Sequence, residues 1–197
     1  MKKIVAFGAS SSSKSINKDL ALFAVSQIEN IEEIILDLND FEMPIYSTDR
    51  QKENGIPDLA FKFNEILKNS DGIIISFAEH NSSYTAAFKN IFDWISRVEK
   101  EVWYNKPLFL IATSDGSRGA ITVLKMAHQR ISKGGQIDIP IFSLPDFTKN
   151  FDPKLGITNL DLKDEFNSCI KLLQYRRTIP IGRRISRSFP IILSFFL

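Results

Sequence analysis

Short apolar runs alternate along this chain with segments of helical periodicity, and this alternation constrains the fold more than any other feature. The clearest run, Gly72–Phe77, has no charged residue on either of its alternating faces, so a strand here must be covered on both sides. Consecutive parallel strands are joined by helices that pack on the faces of their sheet. The pattern therefore predicts an α/β protein in which a parallel sheet lies between two layers of helices.

Five strand-and-helix pairs can be assigned in order along the sequence. Pro57 opens the second helix, because proline is well placed in a first helical turn. Gly134–Gly135 should end the fourth helix, and Pro140 indicates that the fifth strand lies at an edge, since proline cannot donate to a ladder. The predicted strands are 3–7, 31–38, 72–77, 107–113 and 137–142, and the predicted helices are 17–28, 57–67, 83–98, 118–131 and 160–173.

Charge and composition exclude several classes of function. The formal net charge is +2, but residues 175–197 contain five arginines and no acid, so the remainder of the chain has a charge of −3. A mildly acidic body gives no indication of nucleic-acid binding. Two histidines and one cysteine are too scattered for a metal site.

The single cysteine and the lack of an evident targeting segment predict a cytoplasmic location. Cys169 lies in an apolar-periodic helix, where we expect a buried thiol and not a nucleophile. One cysteine cannot form an internal disulfide and fits a reducing cytosol. No signal peptide and no membrane-spanning run is evident, so we expect a cytoplasmic protein.

Hydroxyl groups cluster in the loop after the first strand. Ser10, Ser12 and Ser15, with neighbouring backbone N–H groups at the start of a helix, could surround a phosphate, and Lys14 is the local cation. Asn17 either caps the helix or braces the loop. A serine turn with a helix cap is the alternative reading.

Motifs of rival protein classes are absent from this loop and its surroundings. There is no G-x-G-x-x-G dinucleotide motif, no G-x-x-x-x-G-K-[ST] P-loop and no G-x-S-x-G nucleophile elbow. Ala9 and Ser10 stand where a phospho-receiver of similar topology needs acidic residues. Hydrolase chemistry is therefore poorly supported.

A polar elbow follows the third strand. The amide of Asn81 offers donors and acceptors that match the mixed edge of a flat heterocycle, and Ser82 and Ser83 add hydroxyl and N–H groups. His80 either contacts the ring or is an exposed loop histidine. Glu79 could be a general base, but a carboxylate that braces the loop is the favoured interpretation.

The loop after the fourth strand, residues 113–120, is the third candidate. Its predicted ligands are Ser114, Asp115, Gly116 and Arg118, with the glycine allowing close backbone approach. Arg118 either neutralises negative charge on a reduced ring or forms a surface pair with Asp115. Ligands of open parallel sheets bind outside the carboxyl ends of the strands, so the three loops together predict a site for flavin mononucleotide (FMN).

These motifs resemble the NAD(P)H-dependent FMN reductase family, whose members have a flavodoxin-like fold. That family carries a G-S-x-R-x-x-S-x-N loop, a P-E-Y-N-x-S…L-K-N…D-W segment and a glycine-rich third loop. Ser12 or Ser13 replaces the usual arginine of the first loop, and Ala78 and His80 replace a proline and a tyrosine. The matching residues are Ser10, Ser15, Asn17, Glu79, Asn81, Ser83, Lys89, Asn90, Asp93, Trp94, Gly116, Arg118 and Gly119.

The resemblance implies a fold and an activity. The fold is a three-layer α/β/α sandwich around a five-stranded parallel sheet of order 2-1-3-4-5. Bound FMN would accept hydride at N5 from NADPH or NADH, without a catalytic side chain, and reduce a quinone, a flavin or a similar small acceptor. Alternatives are a flavin-binding electron carrier that does not react with nicotinamides, and a flavin-free binding module.

The resemblance also implies assembly and domain limits. Family members form homodimers or homotetramers, and Trp94, Trp103 and Tyr104 are interface candidates here, although single aromatic residues at helical spacing more often belong to the core. Similarity covers about residues 1–174, which we expect to form the reductase domain. Residues 175–197 are then a basic and apolar extension outside the core. Such a segment could contact a membrane surface, but an extension without that role is favoured.

Overall fold

Five parallel strands form one sheet in the computed structural model, which describes residues 1–133 and 139–178, the last three by backbone alone. The strand order is β2-β1-β3-β4-β5, which confirms the predicted order 2-1-3-4-5. The strands are β1 (Lys2–Ala9), β2 (Ile31–Ile35), β3 (Gly72–Phe77), β4 (Leu108–Thr113) and β5 (Ile141–Leu144).

Helices cover both faces of this sheet. They are α1 (Ile16–Ser26), α2 (Thr48–Asn54), α3 (Asp58–Lys68), α4 (Ala86–Val98), α5 (Ile121–Ser132), α6 (Phe147–Asn150) and α7 (Leu160–Thr178). Alternate residues of β3 enter two separate cores: Ile73 and Ile75 pack with α3, α4 and α5, whereas Ile74 packs with α1 and α7. The predicted three layers are confirmed, and the uniformly apolar strands reflect burial on both sides.

Several element limits differ from the predictions. Strand β5 runs over Ile141–Leu144 instead of 137–142, although it lies at the predicted edge beside β4. Residues 137 and 138 and the predicted stop at Gly134–Gly135 lie outside the described residues; α5 ends at Ser132. The backbone carbonyl of Pro140 accepts a hydrogen bond from the N–H of Leu110, immediately before β5 begins.

Local capping accounts for the shorter elements. Strand β2 ends at Ile35, because Asp37 caps a 3₁₀ helix over Leu38–Phe41. Helix α5 begins three residues later than predicted, since Gly119 and Ala120 both have positive φ. Helix α7 continues to Thr178, beyond its predicted end at residue 173. It thus also passes residue 174, the expected end of the domain.

Four small elements were not predicted, in addition to the 3₁₀ helix. They are α2, α6 and the hairpin of β6 (Phe151–Asp152) with β7 (Gly156–Ile157). No helix within the described ranges is both long enough and apolar enough to traverse a bilayer.

Candidate functional site

Strand register brings the three predicted loops to one edge of the sheet. Gly8 pairs with Ser76, and Phe77 pairs with both Ala9 and Ala112, so β1, β3 and β4 end side by side. The loops that follow these strands therefore leave the sheet at adjacent positions.

The first loop is held tightly against the start of α1. A Cβ atom at Gly8 would lie 2.6 Å from the backbone nitrogen of Lys18, so only glycine permits this approach of strand to helix. Ser15 is the N-cap residue, with Oγ accepting from the Lys18 N–H at 3.2 Å. Ser10 is buried and its Oγ accepts from the N–H of Ser12, while the Ser12 side chain is exposed.

Asn17 braces the sheet from within. Its side chain is 3% exposed. Its Oδ1 accepts from Ser76 Oγ at 2.8 Å and from Thr113 N–H at 3.1 Å, and its Nδ2 donates to Thr113 O at 3.1 Å. Of the two roles considered for Asn17, bracing is the one that the structure shows, and its amide makes three hydrogen bonds inside the protein.

The elbow after β3 is a tight turn that presents its polar side chains to solvent. His80 and Ser83 exchange two backbone hydrogen bonds of 3.0 Å, and Asn81 and Ser82 between them have φ of 50° and 60°. Positive φ at both central positions is the geometry of a type I′ turn, which favours asparagine. Within the described residues the exposed Asn81 amide has no hydrogen-bond partner, and the exposed His80 is similarly open.

Two side chains fasten this elbow to the other loops. Glu79 Oε2 accepts a hydrogen bond of 2.9 Å from the N–H of Val123 in the first turn of α5. The helix dipole stabilises a carboxylate at this end of a helix. The structure thus shows the bracing role considered for Glu79. Thr85 caps α4 through the Phe88 N–H and donates to the carbonyl of Ala9 at 2.9 Å.

Thr85 was missed by sequence reasoning, which began this helix at residue 83. A threonine directly before an amphipathic run is a recognisable N-cap signal. It joins the first loop to the elbow, just as Glu79 joins the elbow to the third loop.

The third loop packs against the short helix α6. Carbonyl oxygens of Ser114 and Gly116 accept from Phe147 and Asp146 N–H groups. Asp115 Oδ1 accepts from both the hydroxyl and the N–H of Thr148, and these bonds lower the pKa of Asp115.

Arg118 does not make the surface pair with Asp115 that was considered. The guanidinium donates to Thr122 Oγ1, one turn along the chain. Gly119 serves packing, because a Cβ there would lie 2.5 Å from Ser143 Oγ, whereas a Cβ at Gly116 would meet only Ser114 Oγ at 3.7 Å. Gly116 is therefore exposed and sterically open at its Cα, although its carbonyl accepts hydrogen bonds from the N–H groups of Gly119 and Asp146.

A solvent-open depression of about 300 Å³ borders this loop on the side of β5 and α6. Its lining residues are Asp115, Asp146, Thr148 and Lys149, none of which belongs to the first loop or the elbow. Asp115 thus lines a hollow to which neither the first loop nor the elbow contributes a residue.

Residues of the matched L-K-N…D-W segment stabilise the loop before α2. The Asn90 side chain accepts from the Tyr46 N–H and donates to the carbonyls of Met43 and Pro44. The Trp94 indole also donates to Pro44 O, at 2.7 Å.

Of the three aromatic residues considered for an interface, the two tryptophans lie in the core instead. Trp94 is 1% exposed and belongs to the core, and Trp103 is buried with its ring stacked on Phe92 at a centroid distance of 5.7 Å. Tyr104 is half-buried, with a left-handed backbone.

Cys169 is half-buried in α7, less buried than predicted. Its sulfur lies 3.5 Å from the carbonyl of Ile141. Burial, with a smaller contribution from Glu165, raises the pKa of Cys169 to about 12, so the thiolate is disfavoured. No group of three or more potential metal-ligating residues occurs in the portion of the chain that the structure describes.

The donors at this edge fit a flavin nucleotide. In the first loop, the exposed hydroxyls and the N–H groups at the start of α1, a helix of eleven residues, suit a phosphate. The Asn81 amide, which has no partner among the described residues, and the sterically open Gly116 suit a planar ring with mixed polar edges. The bracing contacts of Asn17, Glu79 and Thr85 hold these groups without using them.

Comparison with protein families matches residues 2–149 to the family described as NADPH-dependent FMN reductase. A 2-hydroxy-1,4-benzoquinone reductase from Burkholderia sp is 32% identical over 105 residues, which are 53% of this chain and 55% of that protein. An NADPH:quinone oxidoreductase from Arabidopsis thaliana is 30% identical over 112 residues, covering 56% of this chain and 55% of that protein. The chain thus spans about half the length of the curated relatives it matches.

Solved structures share the fold. The flavoenzyme FerB from Paracoccus denitrificans, an NAD(P)H:(acceptor) oxidoreductase, superimposes with a TM-score of 0.69 at 20% identity, covering 89% of this chain and 99% of FerB. An FMN-dependent NADH-azoreductase from Bacillus anthracis, solved with FMN, gives a TM-score of 0.59 at 12% identity, covering 88% of this chain and 99% of that one. At these identities the likeness establishes the architecture alone.

Proposed function

Because the chain belongs to the NADPH-dependent FMN reductase family, we propose that it binds FMN and passes electrons from NADPH or NADH to a small-molecule acceptor such as a quinone or a flavin. The observation that carries this proposal is the meeting of three polar loops where β1, β3 and β4 end in register. The names of the partial relatives, which are quinone reductases, support the class of acceptor.

Each loop has a separate task in this proposal. The first loop holds the phosphate with the exposed Ser12 hydroxyl and the N–H groups that precede Ser15. The elbow offers the Asn81 amide and the Ser82 hydroxyl to the polar edge of the ring. The Gly116 backbone lies against the ring, since no side chain obstructs it.

When bound, FMN supplies the redox chemistry, taking hydride from reduced nicotinamide and giving electrons to the acceptor. The protein's own residues orient the ligand and need not donate or accept protons as catalysts. Glu79 is assigned to this framework because its Oε2 is engaged by Val123 N–H. Asn17 has the same role, since its amide is occupied by β3 and β4.

Location, assembly and domain limits are further parts of the proposal. A dimer or tetramer in the cytoplasm is expected from the family resemblance, and light scattering of the purified chain would measure the assembly. We also propose that the chain beyond α7 is dispensable for flavin binding. A protein ending at residue 178 should take up FMN as the full chain does, and loss of binding would contradict this.

The proposal is tested on the purified full chain. Flavin absorbance before and after incubation with FMN reports binding, and NADPH oxidation at 340 nm with added quinone reports turnover. Bound FMN without NADPH oxidation would favour the electron carrier. If the protein takes up no FMN, the flavin-free binding module is the remaining hypothesis.

A matched pair of variants tests the site itself. Asn81→Gly removes the amide but keeps a residue that tolerates positive φ, so we expect FMN affinity to fall roughly tenfold, the effect of one or two hydrogen bonds. Asn30→Gly is the control, because Asn30 is also exposed with φ of 57° but precedes β2 at the opposite edge. Equal effects of the two substitutions would contradict the assignment of Asn81.

A further inference from the structure

Positive charge is scarce where the flavin phosphate would bind. Residues 8–18 contain only two cationic side chains, Lys14 and Lys18. Lys18 forms an ion pair with Asp37, with Nζ 2.5 Å from Oδ2, and both side chains are about one-third exposed. The pairing holds the pKa of Asp37 below its usual range, so this carboxylate is ionised at neutral pH and cancels the charge of Lys18.

The one remaining cation is weakly placed. Lys14 is exposed and forms no ion pair with any residue in the described ranges. An exposed lysine is a strongly hydrated, flexible charge whose attraction for an anion is screened by solvent and salt. It adds little to the affinity of a bound phosphate under physiological salt.

Neutral donors therefore make up most of this loop. Ser12 offers a hydroxyl, but its N–H already donates to Ser10 Oγ. The Lys18 N–H is likewise used by Ser15 Oγ. What is left is a set of hydroxyls and unpaired N–H groups at the start of α1, which can bind an alcohol oxygen as well as a phosphate oxygen.

We infer that this flavin site discriminates weakly for the 5′-phosphate and accepts riboflavin as well as FMN, with affinities within about tenfold of each other. Among the described residues of the first loop, the only cation outside an ion pair is the exposed Lys14, so the hydrogen bonds that an ionised phosphate gains from neutral donors are set against the cost of removing its charge from water. The inference rests on the proposed flavin binding. It concerns which flavins enter the site, and not whether the site exists.

The direct test measures dissociation constants of FMN and riboflavin with the flavin-free full chain, by quenching of flavin fluorescence. We expect the dissociation constant of riboflavin to exceed that of FMN by less than about tenfold, the effect of a single charged hydrogen bond. A ratio above that value overturns the inference while leaving flavin binding intact. If neither flavin binds, the proposed function fails together with it.

A gain-of-charge variant locates the effect. Ser12→Arg adds a bidentate cation at an exposed loop position and should tighten FMN by about tenfold or more with little change for riboflavin. Ser26→Arg is the matched control, because Ser26 is exposed at the other end of α1, roughly 16 Å from Ser15 at 1.5 Å per residue. If the two variants tighten FMN equally, or Ser12→Arg tightens both flavins or neither, the inference is overturned.

Discussion

The buried amide of Asn17 allows a prediction about Asn17→Asp, a variant whose loss of stability should become smaller in acid. Asn17→Asp keeps the size of the side chain and the two bonds accepted from Ser76 Oγ and Thr113 N–H. It replaces the Nδ2 donor with an oxygen that faces the carbonyl of Thr113, 3.1 Å away in the wild-type protein. The variant therefore buries a negative charge against a carbonyl dipole.

The magnitude follows from burial. Asn17 is 3% exposed, so solvent cannot compensate the lost donor. A buried charge without an ion-pair partner costs about 3–5 kcal/mol, which is a large part of the 5–15 kcal/mol stability typical of a domain. We expect the free energy of unfolding at pH 7 to fall by about that amount.

The pH dependence gives the prediction its specificity. Burial and the facing carbonyl should raise the folded-state pKa of the introduced carboxyl above its unfolded value of about 3.9. Protonation then restores a donor toward Thr113, so the deficit should shrink as pH falls through the folded-state pKa, with most of the destabilisation present above it. Stability relative to wild type should thus improve on acidification.

Urea denaturation of both proteins at pH 7 and pH 5, followed by far-UV circular dichroism, measures the difference. Asn159→Asp is the control, because Asn159 is exposed and accepts one bond from the Leu162 N–H at the start of α7, where aspartate caps equally well. We expect the control to stay within about 0.5 kcal/mol of wild type. A deficit for Asn17→Asp that is equally small, or that grows on acidification, would refute this account of the hydrogen bonds.

Three further predictions concern other parts of the molecule. Gly119→Ala should lower the free energy of unfolding by about 2 kcal/mol, since the φ of Gly119 is 55° and the added Cβ would lie 2.5 Å from Ser143 Oγ. Gly116→Ala is the control and should change the free energy of unfolding by less than about 0.5 kcal/mol. Equal free energies for the two variants in chemical denaturation would contradict this. Cys169, with a pKa of about 12, should react with a thiol reagent at pH 8 only on unfolding, and rapid labelling of the native protein would show an accessible thiolate. Asp37 has a lowered pKa, so its ion pair stabilises the fold above the unfolded-state pKa near 4, and this contribution is lost as pH falls through the folded-state pKa. Asp37→Asn should therefore make the free energy of unfolding less dependent on pH in this range. An acid-denaturation profile identical to that of wild type would count against the ion pair.

Much of the fold was predictable because apolar periodicity is a local property. Strand β3 matches its predicted limits, Gly72–Phe77, because every residue in it is buried and the run lies between Asp71 and the Ala78–Glu79 pair. Strand β5 was misplaced, because its half-buried alternation over Ile141–Leu144 is weak and only pairing with β4 selects its register. Pro140 indicated the correct edge position but not the correct residues.

The candidate site shows the same division between local and long-range information. The positions of the three loops at strand ends could be predicted from chain order, and the type I′ turn suits the asparagine at position 81. Which polar side chains are free could not be predicted. Glu79 and Asp115 are both acidic loop residues in sequence, yet one caps α5 through Val123 and the other binds Thr148.

By itself, then, the sequence determined the alternating architecture, the two-sided burial of the strands and the edge at which polar loops collect, because these depend on patterns among near neighbours. Tertiary structure decided which of those polar groups are used up in holding the loops together. Asn17 bonds to Thr113 across 96 positions of the chain, and a contact of that separation depends on how strands pair and helices pack. Only folding distinguishes a side chain that braces the site from one that is open to a ligand.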